Sequence, residues 1–155
     1  MVETGAPGWF LEDFVVGQTL TTMGRTITET DIVNFVTLGG IFEELFINVE
    51  FAKKNSLFNG RVVPGLLVLV IAEGLYVQTG RTHKARAYLG LDELRFLSPV
   101  VCGDTITMRA TVEATRPSNS RPTTGVLTLV HHIVNQNGVD VVSYTTNRLI
   151  ERRVP

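Results

Sequence analysis

The chain has 155 residues, a length that indicates one domain, spanning residues 1–155, with a sizeable core. Hydrophobic residues make up 44% and charged residues 19% of the sequence, which excludes a disordered chain. The formal net charge is -1 without a run of like charges, which argues against nucleic acid as a main partner, because phosphate binding needs clustered Lys and Arg.

The sequence also indicates a cytoplasmic protein without a membrane span. Cys102 is the only cysteine, so a disulfide framework and a thiolate metal cluster are excluded. Met1 to Gly8 lack the basic and apolar pattern of a signal peptide. The longest apolar run, Leu66 to Ala72, is far shorter than the ~20 residues that cross a bilayer.

The first elements are predicted from turn and capping residues. Trp9-Phe10 are expected to pin an irregular N-terminal arm to the body, and a strand is predicted from Thr19 to Ile27. Thr28 then fits a helix N-cap with Asp31 at the third helical position, which favours a short helix ending at about Leu38.

An irregular segment precedes a strongly predicted helix. Gly39 to Val63 shows no period, and a loop this long within a compact domain is usually functional. Pro64-Gly65 suits the first turn of a helix that runs to about Thr79 and stops at Gly80. Its first half is apolar on all sides, which predicts a buried helix.

The remaining sequence has the two-residue period of strands. Apolar residues alternate with polar ones from Thr105 to Ala114, and Leu94 and Phe96 mark an earlier strand. Asn137-Gly138 is a typical hairpin turn between two further strands, Val126 to Asn135 and Val139 to Ile150. The pattern therefore predicts an α+β fold in which an antiparallel β-sheet wraps around one long buried helix.

Several segments resemble, in order, those of the MaoC-like dehydratase or (R)-specific enoyl-CoA hydratase family, which has the hotdog fold. The similarity begins in the N-terminal part of the chain and continues through the predicted helix and the first long strands. The segments are Phe10 to Gly17, Arg25 to Phe35, Glu50 to Lys54, Gly60 to Val68, Leu94 to Val100 and Gly103 to Thr105.

The resemblance implies a reaction and an assembly. The family adds water to enoyl thioesters of coenzyme A or of a carrier protein, or runs the reverse reaction. It implies a dimer whose sheets join edge to edge, with the acyl arm in a tunnel near the interface. No cofactor is implied, and the coenzyme A thioester is expected as substrate or ligand.

The resemblance also implies a set of site residues. Hydration needs a proton-transfer pair, which the family supplies as an Asp and a His five positions apart. It also needs a donor for the thioester oxygen, which a backbone N–H at the start of the buried helix provides. The family's His-Gly at that helix start is Pro64-Gly65 here, so Pro64, Gly65 and Leu66 are the predicted substrate-binding residues.

The proton-transfer pair is replaced in this chain. The family's Asp falls on Ile41 and its His on Phe46, while its Asn and Pro fall on Glu43 and Glu44. Ile and Phe cannot take or give a proton, so catalysis by the family's usual mechanism is not expected from this chain alone.

Three carboxylates are weak candidates for substitute chemistry. Glu43 and Glu44 are nearest to the missing pair and could act as a base, or they are solvated loop residues. Glu73 lies in the apolar helix, where some hotdog thioesterases carry a catalytic carboxylate; the alternative is a glutamate that is paired or reaches solvent.

Basic residues and histidines complete the candidates. Arg81, Lys84 and Arg86 could meet the phosphates of coenzyme A or an acidic carrier protein, or form an ordinary charged loop. His131 and His132 lie on one strand and must face opposite ways, and His83 is expected to be exposed, so no metal site is predicted.

Four functions remain open at this point. The first is a degenerate dehydratase subunit that pairs, as a heterodimer, with a homologue carrying the Asp and His. The second is an active hydro-lyase that uses Glu43, Glu44 or Glu73. The third is a non-enzymatic acyl-CoA binding module. Whether the chain forms a homodimer or a heterodimer is left open. The fourth is a thioesterase that uses Glu73.

Overall fold

The computed structural model describes residues 8–58 and 60–153, so the expectation for Met1 to Gly8 lies almost wholly outside the described residues. A 3-10 turn at Leu11–Asp13 opens the described chain. The helices are α1 (Glu29–Gly39), α2 (Glu44–Ile47), α3 (Val49–Asn55) and α4 (Gly65–Gln78), and the strands are β1 (Thr19–Thr21), β2 (Arg25–Thr26), β3 (Ala85–Phe96), β4 (Thr105–Pro117), β5 (Thr124–Asn135) and β6 (Asp140–Glu151).

The strands form one antiparallel sheet in the order β1-β4-β5-β6-β3, and β2 also pairs with β4. β3 therefore lies at one end of the sheet, with β6 as its strand partner among the described residues. Glu93 has a φ of 54° within an irregular stretch of β3, between its Asp92 and Arg95 pairings. The sheet thus ends in a long strand whose outer edge is unpaired within residues 8–58 and 60–153.

The core lies between α4 and one face of this sheet. Ile106, Met108, Ala110 and Val112 alternate along β4 as buried residues, as their two-residue spacing predicts. From α4, the buried side chains include Val68, Ile71, Ala72 and Leu75. The predicted α+β assembly, a sheet wrapped around a long helix, is confirmed.

One face of α4 differs from the prediction of a helix buried on all sides. Leu66, Val70 and Val77 are 53%, 57% and 44% exposed, respectively. The sequence is apolar all round, but within the described chain the sheet covers only part of the helix circumference. These three residues form what we call the α4 apolar stripe.

The first helix begins as predicted. The Thr28 hydroxyl accepts from the Asp31 N–H at 3.3 Å, and the Asp31 carboxylate accepts from the Thr28 N–H at 2.8 Å. This reciprocal pair satisfies backbone donors that the helix start would leave free. The two hydrogen bonds fix where α1 begins.

The segment from Gly39 to Val63 is more regular than predicted, because it contains α2 and α3. The Asn48 side chain caps α3 by accepting from the Phe51 N–H at 3.0 Å. Helices of 4 and 7 residues are too short to show a period in the sequence. The predicted loop is therefore a pair of short helices.

Two other boundaries also shift. The predicted strand from Thr19 to Ile27 is split into β1 and β2, with Thr22 between them still exchanging hydrogen bonds with Met108. The hairpin at Asn137-Gly138 is confirmed, although four residues rather than two separate β5 from β6. Within the described residues, no helix has both the length and the apolar character needed to cross a bilayer.

Candidate functional site

A cavity of about 480 Å³ opens at the start of α4. Its wall combines α2, the segment before α4, the first turns of α4, and the chain that follows β3. We call it the α4 cavity. It is lined by Phe46, Phe58, Val62, Val63, Gly65, Leu66, Val68, Phe96, Leu97, Ser98, Pro99, Val100 and Val142.

The start of α4 is held in place by contacts of the preceding segment. The Val63 N–H donates to the Val100 carbonyl at 2.8 Å, and Val62 forms a β-bridge with Val101. Arg61 forms an ion pair with Glu29 at the start of α1. These contacts fix the position and direction from which the helix begins.

The first turn of α4 presents free backbone donors to the cavity. The N–H groups of Leu67 and Val68 donate to the Pro64 carbonyl. Those of Gly65 and Leu66 precede these bonds and belong to the turn whose donors have no acceptor in the helix. Both residues line the α4 cavity, so the positive end of the helix lies at its wall.

Gly65 allows the Phe96 ring to pack closely against the helix start. A Cβ at this position would lie 2.6 Å from a ring carbon of Phe96, well inside contact distance. Only a glycine lets the ring rest against the helix start in this way. The glycine thus places an aromatic wall directly beside the free N–H groups.

The two positions where the resemblance places the proton-transfer pair differ in their relation to the cavity. Phe46, on α2, lines the α4 cavity together with Gly65. Ile41 lies just after α1, where its N–H donates to the Val36 carbonyl at 3.0 Å and its side chain packs beside Gly39. It is partly buried and is not one of the cavity-lining residues.

Glu43 and Glu44 face solvent at the start of α2. Glu44 accepts a hydrogen bond from the Asn48 amide at 3.3 Å. Neither carboxylate is among the residues that line the α4 cavity. In this chain they flank the helix that carries Phe46 without contributing to the cavity wall.

Glu73 is bound on both of its oxygens. The Tyr144 hydroxyl donates to Oε1 at 2.6 Å, and the Arg148 guanidinium forms an ion pair with Oε2. The Arg148 guanidinium also stacks over the Tyr76 ring, 5.3 Å from its centroid. The pairing that the sequence left as an alternative for Glu73 is therefore observed.

His131 extends this cluster into the core. Its ring stacks on Tyr144 with centroids 4.5 Å apart, and its Nε2 lies 2.9 Å from the Thr146 hydroxyl. Burial, with smaller contributions from Arg148 and His132, lowers the pKa of His131 to about 3, so the ring is neutral. We call Glu73, Tyr76, His131, Tyr144 and Arg148 the Glu73 network.

The two tyrosines of the network hold their protons firmly. Burial raises the pKa of Tyr76 to about 12. Burial and then the Glu73 carboxylate raise the pKa of Tyr144 still further. A phenol that stays protonated is a constant donor, which suits Tyr144 to holding Glu73 and makes it a poor proton acceptor.

The predicted phosphate-binding arginines lie past the other end of α4. The Arg81 guanidinium stacks 4.8 Å from the Trp9 ring, and Arg86 forms an ion pair with Glu151. A helix of 14 residues is roughly 20 Å long, so within one chain both arginines are remote from Gly65. Trp9 and Phe10 contact the body of the protein as expected, since Arg81 stacks on Trp9 and Lys84 stacks on Phe10.

The histidines are placed as the strand pattern predicts. His131 is buried, His132 is half-exposed and His83 is exposed. In the described ranges, no group of three or more His, Cys, Asp or Glu side chains is arranged to hold a metal ion.

Several cavity-lining residues were not predicted: Phe58, Val62, Val63, Val68, Val142 and the segment from Phe96 to Val100. Phe58 follows α3, and Phe96 to Val100 lie at the end of β3 and beyond it. Leu94 to Val100 is one of the segments that resemble the family, but the resemblance gave no role in the site to its residues. Phe58 lies outside those segments, and it reaches the cavity only through the path of the loop after α3.

Comparison with known proteins identifies the family. The MaoC like domain profile matches residues 13–135, which is most of the chain. The chain belongs to the MaoC-like family. The β-methylmalyl-CoA dehydratase of Chloroflexus aurantiacus is 34% identical over 151 residues, which are 96% of this chain and 42% of that protein.

Solved structures support the same assignment. A monoamine oxidase regulatory protein from Archaeoglobus is 33% identical, with a TM-score of 0.86 over 96% of this chain and 97% of that one. A Mycobacterium tuberculosis protein with a double hotdog fold has a TM-score of 0.84 at 21% identity, over 94% of this chain and 45% of that one. This MaoC-like chain therefore has the hotdog fold, and it spans less than half the length of the curated relatives it matches.

Proposed function

We propose that this MaoC-like chain binds the acyl part of a coenzyme A or carrier-protein thioester in the α4 cavity and does not itself transfer protons. The thioester oxygen would accept from the N–H groups of Gly65 and Leu66. The observation that carries the proposal is the position of Phe46. It lies in the wall of the same cavity as Gly65, where the resemblance places the family's histidine.

The acid/base requirement supports a non-catalytic role. Adding water to an enoyl thioester needs one group to activate water and one to protonate the α-carbon. Ile41 and Phe46 have no ionisable group, and removing one general acid or base typically costs 10²–10⁴-fold in rate. Glu43 and Glu44 lie outside the cavity lining and Glu73 is held by Tyr144 and Arg148, so these carboxylates do not favour the hydro-lyase or thioesterase alternatives.

We propose further that a second hotdog domain completes the active unit. Two features of the described chain support this: the unpaired outer edge of β3 and the α4 apolar stripe. A strand edge with open N–H and C=O groups is a template for pairing with another chain. In a heterodimer, a homologue carrying the Asp and His would supply proton transfer; in a homodimer, the chain would act as an acyl-thioester binding module.

A hydration assay tests the catalytic part of the proposal. The purified chain is incubated with enoyl-CoA thioesters of several lengths, and loss of the conjugated chromophore is followed. No turnover is expected, because neither Ile41 nor Phe46 can give or take a proton. Turnover by the unaltered chain that is lost in Glu43→Gln or Glu44→Gln would contradict the proposal and favour the hydro-lyase.

A size measurement tests the assembly. Val70→Lys places a charge in the α4 apolar stripe, and Val33→Lys places one on the exposed side of α1, where Val33 is 47% exposed. Sedimentation is expected to show that Val70→Lys weakens association with itself or with a co-expressed homologue, while Val33→Lys does not. A monomeric unaltered chain that also fails to associate with MaoC-like homologues would refute the second-domain proposal.

A further inference from the structure

We infer that the α4 cavity selects an uncharged, apolar acyl group and rejects one that ends in a carboxylate. The inference rests on the proposed function, since it names the substrate class of the site proposed there. The acyl group expected for this chain differs from that of the related β-methylmalyl-CoA dehydratase, because a methylmalyl group carries a free carboxylate in addition to the thioester.

The lining of the cavity supplies the first step. Among the thirteen lining residues that the structure describes, twelve are aliphatic, aromatic, proline or glycine, and Ser98 alone has a polar side chain. Of the residues that the structure describes, none that lines the cavity carries a charge. An alkyl chain loses no hydrogen bonds on entering such a wall, and its burial is favourable in proportion to the area removed from water.

The cations near the cavity in sequence are directed elsewhere. Arg61 precedes Val62 and is paired with Glu29. Arg95 precedes Phe96 in β3, and neighbouring strand residues point to opposite faces; its guanidinium donates to the Leu94 carbonyl at 3.1 Å. Arg148 is committed to Glu73.

The free donors at the helix start do not substitute for a cation. The N–H groups of Gly65 and Leu66 lie at one point of the wall, and the thioester oxygen of a bound acyl group would accept from them. A second anionic group at the far end of the acyl chain would meet no cation among the described lining residues, where Ser98 is the one polar side chain. A carboxylate buried without a partner is strongly disfavoured relative to water.

Matched pairs of saturated acyl-CoA thioesters test this directly, because they cannot be hydrated. Hexanoyl-CoA and adipyl-CoA differ by a terminal methyl against a carboxylate, as do octanoyl-CoA and suberyl-CoA. Titration calorimetry with the purified chain is expected to give affinity that rises about fourfold for each methylene from butyryl to hexanoyl. Adipyl-CoA is expected to bind about 100-fold more weakly than hexanoyl-CoA.

A pair of charge variants locates the selectivity in the cavity. Phe58 lines the cavity and is 47% exposed, so Phe58→Arg can supply a cation at the wall without entering the core. Its neighbour Leu57 is 90% exposed and does not line the cavity, so Leu57→Arg is a control with the same charge. We expect Phe58→Arg to narrow the preference for hexanoyl-CoA over adipyl-CoA by at least about tenfold and Leu57→Arg to leave it unchanged.

The outcomes separate this inference from the proposed function. If adipyl-CoA binds within threefold of hexanoyl-CoA, the selectivity is refuted while acyl-thioester binding stands. If the preference exists but both arginine variants change it equally, the cavity is not its source and the inference is also refuted. If neither thioester binds at all, the proposed function fails and the inference fails with it.

Discussion

Helix α4 carries two regions with opposite chemistry. At its start, the α4 cavity is apolar and presents free backbone donors beside Gly65. Two turns later, the Glu73 network gathers a carboxylate, a guanidinium, two phenols and an imidazole, of which Glu73 is bound on both oxygens. The ionisable side chains of the network are thus already paired with one another, whereas the cavity is lined by described residues that carry no ionisable side chain.

This difference separates a structural role from a binding role. An isolated carboxylate in an apolar helix resembles a catalytic group when only the sequence is known. Here Arg148 and Tyr144 neutralise and orient Glu73, which is typical of a paired buried charge. We therefore expect changes in the Glu73 network to alter stability, and changes in the α4 cavity to alter binding.

The largest expected effect is on stability in the Glu73 network. Arg148→Met leaves Glu73 without its cation in a largely buried position, because the side chains are 6% and 20% exposed. We expect the free energy of unfolding to fall by about 3–5 kcal/mol, measured by urea denaturation. Arg86→Met is the control: its side chain is 64% exposed, so losing the pair with Glu151 should cost less than about 1 kcal/mol.

A double variant sharpens this test. Combining Arg148→Met with Glu73→Leu removes both charges, so the pair of changes should cost clearly less than the sum of the single ones. An Arg148→Met variant as stable as Arg86→Met would show that Glu73 does not depend on Arg148, and the proposed division of α4 would be wrong.

The next effect is a dependence of stability on pH. The pKa of His131 is lowered to about 3 in the folded chain, against about 6.5 for an unfolded histidine. As the pH falls, the unfolded state therefore takes up a proton on His131 before the folded state does. The contribution of the neutral His131 to the free energy of unfolding is complete above pH 6.5 and decreases progressively between pH 6.5 and 3. We expect a loss of about 2 kcal/mol between pH 7 and pH 5 from this residue alone.

Matched histidine variants isolate that contribution. The free energy of unfolding is measured at pH 7 and pH 5 for His131→Gln and for the exposed position His83→Gln. The His131 variant should lose about 2 kcal/mol less than the unaltered chain over this interval, whatever its absolute stability. An unchanged pH dependence in His131→Gln would mean that His131 is not the responsible group.

The smallest expected effects compare two glycines of α4. Gly65→Ala introduces a Cβ 2.6 Å from the Phe96 ring, and because this ring is half-exposed it can shift at a cost of about 1 kcal/mol. Gly74→Ala meets no atom within 4 Å and should stabilise the helix by about 0.5–1 kcal/mol. Thermal unfolding should show a lower midpoint temperature for Gly65→Ala and a higher one for Gly74→Ala. The affinity for hexanoyl-CoA should fall for Gly65→Ala only.

Equal behaviour of the two glycine variants would contradict the packing described at the helix start. Loss of hexanoyl-CoA affinity in both would indicate that the ligand contacts α4 well beyond its first turn. Loss in neither would remove Gly65 from the binding site.

The sequence by itself determined most of the fold, because its signals are local. The Thr28 cap with Asp31, the Pro64-Gly65 helix start, the alternation along β4 and the Asn137-Gly138 hairpin each depend on neighbours a few residues away. The family was predicted from short segments along the chain that resemble it, and the match of the family profile to residues 13–135 confirms the prediction. The short helices α2 and α3 escaped prediction, because 4 and 7 residues carry too little periodicity.

Only the tertiary structure decided which residues meet. Phe46, Gly65 and Phe96 come from three separate elements, and no spacing in the sequence predicts that they share one wall. The partners of Glu73 lie 71 and 75 residues away on β6, so the sequence could not distinguish a paired carboxylate from a free one. Contacts between distant residues depend on how the sheet packs around α4. That packing is determined by the whole core and not by the local preference of any one segment.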